Sequence, residues 1–295
     1  MPNRERPGHD RPITPIASGG GGAPPRTAPV AAVTVLEDAA EAASARPPLR
    51  VDAGRYLFVE TRSRQAVDPA APETRGMSGS PVLRRAWLPF DGAKAGLTAE
   101  TRDGRTVRTW LCDDAAAPVK KAPHGSGPGP RPSGCRNRPA ADPAVPAEAG
   151  AARAWLYRTA QGGNPPDVQA FITLGDTVAE RYVPPAALAA LFRAATRVPG
   201  VTASPAAVDF AGRRGVAVGQ TWAGTRYELI FDAASRRFLG TRTVVDFDAS
   251  FRPSGGKSPG AGTDPAFRAA HRQGQVLYEA AVLRTAVTGR PGELP

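Results

Sequence analysis

The sequence contains no long apolar segment. None of its 295 residues belongs to a run that approaches the apolar length of a membrane-spanning helix, which is roughly 18 to 20 residues. No short apolar core of the kind found in signal peptides follows Met1. We therefore expect that the chain as it stands neither anchors nor exports itself. This indicates a start assigned too far downstream or a truncated gene, and it leaves a cytoplasmic location open.

Lysine is scarce, although the formal net charge is +11. Only four of the 38 basic residues are lysine, and the arginines are scattered through the chain, never more than two in a row. No recognition helix, aromatic stacking platform or dense basic stripe accompanies them. Together with the abundance of alanine, glycine and proline, this pattern is typical of GC-rich codon usage. We predict no specific nucleic-acid partner.

Histidine is also scarce, which limits the catalytic options. Residues 76–81 (GMSGSP) resemble the nucleophile loop of chymotrypsin-like serine peptidases, with Ser78 at the nucleophile position. His9 lies in a predicted tail, and His124 and His271 lie in predicted flexible insertions, so no ordered histidine can serve as the general base. We predict that Ser78 is a turn residue and that the chain is not an enzyme; a hydrolase centred on Ser78 is the least favoured alternative.

Two acidic pairs are weak candidates for catalysis or metal binding. Asp113 and Asp114 follow a predicted strand, and Asp246 and Asp248 are two residues apart on another. Acids at strand ends are usually solvated, and acids on one strand face usually form a polar edge. We predict no catalytic, cofactor-binding or metal-binding residues.

Helical periodicity is strongest between residues 151 and 198. It predicts three amphipathic helices, over residues 151–160, 165–182 and 184–198. The start of the second is predicted to use Asn164 as the N-cap and Pro165 as the first helical residue. Its apolar stripe follows helical spacing and consists of Val168, Phe171, Gly175, Val178 and Tyr182.

After residue 200 the period changes from 3.6 to 2, which predicts an antiparallel meander over residues 208–247. Residues 276–287 favour another strand, although their alanine content leaves a helix possible. The amino-terminal half is predicted to hold a short helix and a second meander. These elements cover residues 35–45, 56–61, 85–90, 98–102 and 105–112, with Asp103-Gly104 as a hairpin turn.

The predicted domain organisation is a single α+β domain over residues 32–295. We expect a disordered tail over residues 1–31 and flexible insertions at about 115–147 and 252–274, because these segments combine Pro, Gly, Ser and Arg without apolar periodicity. The predicted fold is a set of antiparallel meanders forming a curved sheet or half-barrel, packed on the three amphipathic helices.

Four short segments carry a resemblance to a known family: residues 154–158 (AWLYR), 163–171 (GNPPDVQAF), 182–185 (YVPP) and 197–201 (RVPGV). They resemble an uncharacterised actinobacterial family known chiefly by a locus tag. Its members have a cytoplasmic segment, one transmembrane helix and an extracytoplasmic domain similar to this chain from about residue 28. The order of helices and strands is also similar to the half-barrels of lipoprotein carriers and periplasmic sigma-factor regulators.

This resemblance implies an extracytoplasmic, membrane-anchored location, and it bears on the two cysteines. An even cysteine count in such a domain favours one disulfide, between Cys112 and Cys135. Two free thiols in a cytosolic protein are the alternative. A zinc site built from Cys112, His124 and Cys135 lacks the usual ligand spacing.

Three functions are compatible with the sequence. The first is a non-catalytic extracytoplasmic interaction or sensory domain, as the resemblance implies, with a protein partner. The second is a carrier of a lipid or another hydrophobic ligand, which requires a continuous apolar cavity. The third is the hydrolase centred on Ser78.

Overall fold

The computed structural model describes residues 29–67, 79–113, 129–141, 144–247 and 265–295. These residues form five helices and nine strands, which confirms the predicted α+β class. In chain order the elements are α1 (Pro29–Ser44), β1 (Tyr56–Gln65), β2 (Val82–Pro89), β3 (Gly96–Arg102), β4 (Arg105–Leu111), α2 (Ala149–Thr159), α3 (Pro166–Glu180), α4 (Pro185–Ala195), β5 (Val201–Val208), β6 (Arg214–Trp222), β7 (Thr225–Asp232), β8 (Phe238–Val245), α5 (Pro265–Ala270) and β9 (Val276–Thr288).

The described strands form one open antiparallel sheet in the order β4-β3-β2-β1-β9-β8-β7-β6-β5. The last strand of the chain, β9, lies between β1 and β8 and pairs with both. It joins the two predicted meanders into a single sheet, so the amino-terminal meander is not a separate layer. The strand predicted for residues 276–287 is thus confirmed as the link between the two halves.

A helix layer covers the β5–β8 half of the sheet and forms the main core. Phe192 of α4 contacts Phe231 of β7 edge to face, with 5.3 Å between ring centroids. At Gly175 of α3, an added Cβ would lie only 2.9 Å from a methyl carbon of Leu229, so glycine allows this helix to approach the sheet closely. The largest fully buried side chains of the layer are Leu36, Leu156, Phe171, Leu174, Leu191, Phe192 and Phe231.

The structure corrects the predicted start of α3. Pro165 occupies the N-cap position and Pro166 the first turn, so Asn164 lies one residue too early to cap the helix. Its side-chain amide instead donates to Oε1 of Gln169 at 3.0 Å. Val178, which was expected in the buried stripe, is only partly buried against the main core.

Two helices differ from the sequence-based expectation. The helix predicted over residues 35–45 begins at Pro29 and joins the layer as a fourth member, against α4 and β5. Its alanines at 39, 40 and 43 are buried and permit close helix packing. α5 lies within the segment expected to be flexible, where the Phe267 ring contacts Phe247 edge to face at 6.0 Å.

The sheet face opposite the helix layer carries a row of paired charges, here called the charged row: Arg64, Glu279, Arg242, Glu228 and Arg226. The first four lie opposite one another across β1, β9, β8 and β7. Glu228 is 1% exposed and accepts from Nε of Arg226 at 2.9 Å and Nε of Arg242 at 2.8 Å. A Cβ on Gly219 would lie 2.9 Å from Cγ of Glu228, so glycine leaves space for this carboxylate.

The hairpin between β5 and β6 folds back over this same face. Nη2 of Arg213 donates to the carbonyl oxygens of Leu239 in β8 and Val282 in β9, at 3.1 and 2.9 Å. The ring of Phe210 lies under the guanidinium of Arg62 in β1, 5.1 Å from its centroid. In the sheet order, β8, β9 and β1 lie two, three and four strands away from β6. Contacts across this distance require a strongly curved sheet.

We predict that Glu228→Gln lowers the free energy of unfolding by about 3–5 kcal/mol, because it removes the carboxylate shared by the buried guanidinium of Arg226 and the partly buried guanidinium of Arg242. Urea unfolding measures the change. The control is Glu100→Gln, which disrupts the more exposed pair with Arg84 (3.6 Å) and should cost less than about 1 kcal/mol. Equal losses for the two variants would contradict the role of the charged row.

Candidate functional site

Cys112 and Cys135 form a disulfide, with their Cα atoms 5.4 Å apart. This confirms the predicted pairing in place of two free thiols. It also removes both thiolates from the zinc alternative, whose third residue, His124, lies outside the described residues. The bond connects the end of β4 to a segment that has little regular secondary structure.

The segment over residues 129–140 wraps around the end of β4. On one side, the carbonyl of Gly129 accepts from the indole N–H of Trp110 at 3.3 Å. At the strand end, the backbone N–H of Asp113 donates to the carbonyl of Arg136 at 2.8 Å. On the helix-layer side, the N–H of Ala140 donates to the carbonyl of Pro89 at 2.9 Å. The disulfide lies midway along this path and holds the segment against the sheet.

A recess of about 260 Å³ lies between this segment, the β1–β2 face and the end of α3. We call it the polar groove. Its floor is apolar and is formed by Val59, Ala86 and Leu88. Charged side chains of both signs line it, namely Arg84, Asp113, Arg138, Glu180 and Arg181.

The charges of the polar groove are largely compensated. Nε of Arg138 lies 3.1 Å from Oδ2 of Asp113, and Nε of Arg84 lies 3.6 Å from Oε1 of Glu100. The groove therefore does not present one strongly charged pole. Its geometry suits a partner that contributes an apolar group to the floor and hydrogen bonds to a rim of both signs.

Acidic and phenolic groups near Glu180 have shifted pKa values. Although Asp176 reaches solvent, the surrounding protein raises its pKa by desolvation, and the carboxylate of Glu180 one turn away raises it further. Desolvation likewise raises the pKa of Tyr278 in β9, with added contributions from Glu180 and Asp176, while Arg84 lowers it. The protonated forms of Asp176 and Tyr278 are therefore favoured.

The residues considered for a serine hydrolase are not assembled by the described part of the chain. Ser78, His9 and His124 all lie outside the described residues. His271 is buried, stacks on Phe267 at 4.2 Å and has Nδ1 2.9 Å from the carbonyl of Phe267. The interpretation of Ser78 as a turn residue stays a prediction.

Of each acidic pair considered in the sequence, only one residue lies within the described part of the chain. Asp113 lies on the rim of the polar groove, whereas Asp114 and Asp248 lie outside the described residues. Asp246 accepts from Oγ1 of Thr221 at 2.8 Å and from Nε2 of Gln273 at 3.1 Å, so it holds the loop after β8. Within the described ranges, no group of three or more His, Cys, Asp or Glu side chains is arranged to hold a metal ion.

Sequence reasoning identified the disulfide but not the polar groove beside it. Arg84, Arg138 and Glu180 come from β2, an irregular segment and the end of α3, which are far apart in the chain. No local motif links such residues. The signal that did exist was Cys135, because its bond to β4 fixes where the neighbouring residues 137–140 must lie.

Comparisons with known proteins give little further information. No protein-family model and no curated protein match the chain. Among solved structures, the chain is similar to the complex of MucA and MucB from Pseudomonas aeruginosa, with 14% identity and a TM-score of 0.27. The match covers 89% of this chain and 59% of that one. This similarity does not establish a shared fold, and the resemblance to the actinobacterial family stays a prediction.

None of the described helices has the length and apolar character needed to cross a bilayer.

We predict that replacing both Cys112 and Cys135 by Ser lowers the free energy of unfolding by about 3 kcal/mol, because the unfolded chain loses a crosslink. Residues 129–140 should then exchange their amide hydrogens faster. Denaturant unfolding and hydrogen exchange measure these effects. In protein exported through an added signal peptide, the intact mass should show the loss of two hydrogens; two alkylatable thiols there would contradict the disulfide.

We predict that Asp176→Asn raises the thermal midpoint at neutral pH. Because the folded chain raises the Asp176 pKa, the ionised carboxylate opposes folding, and the gain should vanish below the ordinary aspartate pKa of about 3.9. Asp232 provides a control of opposite sign, since hydrogen bonds from Ser235 lower its pKa. Asp232→Asn should lower the midpoint at neutral pH, with the loss fading on acidification. Parallel responses of the two variants would contradict the assignment.

Proposed function

We propose that this chain is a non-catalytic interaction or sensory domain that works in an oxidising, extracytoplasmic compartment and binds a protein partner at the polar groove. The observation that carries the proposal is the disulfide-held segment over residues 129–140, which forms one wall of the groove. A covalent crosslink at this wall keeps the groove formed before a partner arrives. Such preorganisation reduces the entropy lost on binding.

Cysteine chemistry supports the proposed compartment. Stable disulfides are typical of secreted and envelope proteins and rare in the cytosol, where thiols are kept reduced. Both cysteines of the chain are used in this one bond. Attachment to a membrane rests on the resemblance to the actinobacterial family alone.

The size and lining of the groove favour a protein partner. Its volume of about 260 Å³ is below the roughly 300–1,000 Å³ of typical small-molecule pockets. An apolar side chain fits a floor made of Val59, Ala86 and Leu88, while the paired charges of the rim provide polar contacts. Interfaces commonly combine an apolar anchor with a polar rim in this way.

A carrier of a hydrophobic ligand is the second candidate and has less support. A carrier requires a continuous apolar cavity, and the space between helices and sheet is the natural place for one. Here Phe171, Phe192 and Phe231 fill that space and are each at most 2% exposed. A ligand would have to displace the core to enter it.

Native mass spectrometry of complexes captured from an envelope extract of the source organism tests the proposal. The exported, disulfide-bonded chain is the bait, and Arg138→Glu alters the groove rim because this side chain is 70% exposed beside Asp113. Arg158→Glu, on the exposed side of α2, makes the same charge change away from the groove. We expect a protein partner that binds the wild type and the Arg158 variant and is lost, or reduced at least about ten-fold, with Arg138→Glu.

Three results would contradict the proposal. A lipid that co-purifies with all three baits would favour the carrier. Equal capture by all three baits would place the interaction elsewhere on the protein. Labelling of Ser78 by a fluorophosphonate probe, abolished in Ser78→Ala, would favour the hydrolase, because such probes require an activated serine.

A further inference from the structure

The two edge strands of the sheet, β5 and β4, differ in how well they are protected against pairing with a further strand. At one edge, β5 contains Pro205, which has no N–H, and has an irregular register between Ser204 and Ala207. α1 also packs against this strand. At the other edge, β4 has the sequence RTVRTWL, without proline, glycine or a register shift. Proline, bulges and covering helices are common means of blocking an edge, and among the described residues β4 has none of them. Its charged side chains, Arg105 and Arg108, still disfavour pairing with another basic strand.

The unpaired backbone groups of β4 are identified by its register. Arg102 and Arg105 flank the two-residue turn Asp103-Gly104, so they form a hydrogen-bonded pair, and such pairs alternate along an antiparallel ladder. The N–H and C=O groups of Thr106 and Arg108 therefore point away from β3. Within the described part of the chain, no backbone group bonds to these two residues from the outer side.

Beyond the end of β4, the segment around Arg136 lies beside the turn between β2 and β3. The N–H of Asp113, which has the register of the β3-facing residues Thr109 and Leu111, donates to the carbonyl of Arg136 at 2.8 Å. The N–H of Asn137 donates to the carbonyl of Gly92 at 3.3 Å. These bonds lie on the inner side of β4 and not along the outer side of Thr106 and Arg108.

The charge of the edge indicates what would extend it. Arg102, Arg105 and Arg108 are all exposed, whereas the nearby carboxylate of Glu100 lies 3.6 Å from Arg84. Arg108 and Arg105 are three residues apart and project from opposite faces of the sheet. Like charges opposite one another disfavour pairing with a second copy of β4, and carboxylates at those positions favour pairing.

We propose that the β4 edge binds an extended acidic segment of a partner protein by strand addition. The added strand forms backbone hydrogen bonds with Thr106 and Arg108 and places two acidic side chains, three residues apart, against Arg108 and Arg105. This surface is separate from the groove rim at Arg138, so either proposal can fail without the other.

Peptide binding to the full, disulfide-bonded chain tests the proposal. Fluorescence anisotropy measures the affinity of an extended peptide of about nine residues, long enough for one strand, with two glutamates spaced three apart. Two further versions carry N-methyl groups on alternate residues, one version for each edge of the peptide. An added strand uses the amides of only one edge, so we expect one methylated version to lose binding and the other to keep it.

Charge variants give a second readout. Arg108→Glu should weaken binding about five- to ten-fold, since it replaces an attractive pair by a repulsive one. Arg108→Lys should retain most of the affinity. Arg158→Glu provides the matched charge change on α2, and Arg138→Glu separates this edge from the polar groove; both should leave peptide binding unchanged. Equal thermal midpoints establish that each variant is folded.

Several results would overturn the inference. Equal binding by both methylated peptides would show that the peptide is held by charge attraction alone and does not add a strand. Equally tight binding of a single-stranded oligonucleotide that competes with the peptide would make the edge a general polyanion site. Absence of peptide binding, or concentration-dependent dimerisation abolished by Arg108→Glu, would exclude an acidic partner strand as the occupant.

Discussion

The helix layer covers only half of the sheet, and this constraint shapes the rest of the molecule. α1 to α4 bury the apolar side chains of β5–β8, with the contact between Phe192 and Phe231 at the centre. The same face of β1 and β2 carries Leu57 and Val59, which need another cover. The segment around Ala140 supplies it, and the disulfide fixes that segment in place. The polar groove lies where the helix layer meets the segment around Ala140.

Local elements of this fold were predictable because they depend on short-range pattern. The helical spacing of Val168, Phe171 and Gly175 reflects one buried face of α3. The alternation in β6 and β7 likewise predicted which residues face the helices, although both faces of these strands are buried. The cap of α3 was not predicted correctly, because two consecutive prolines shift the helix start past Asn164. The first residue of a helix depends on the side chains of one or two residues. The predicted and observed starts of α3 differ by only one position.

The sheet order and the site were beyond sequence reasoning for a different reason. No local pattern in residues 276–288 predicts that they pair with β1, because the pairing of strands so far apart in the chain depends on the whole sheet. Similarly, the alternating pattern of β7 predicts that the side chain of Glu228 is exposed to solvent. It is buried only because Arg226 and Arg242 neutralise it and Gly219 leaves room for it. The groove residues share this dependence on tertiary structure.

The central position of β9 has a consequence for how the protein forms. Until the ribosome has synthesised the last strand, β1 and β8 each expose an unpaired edge, and the charged row lacks Glu279. The hydrogen bond from Arg64 to Glu279 joins residues 215 positions apart, so the two halves combine only after β9 has been synthesised. Contacts of this range fold slowly, and open strand edges promote misassembly meanwhile. Protection of the β1 and β8 edges before β9 is available would therefore favour correct folding.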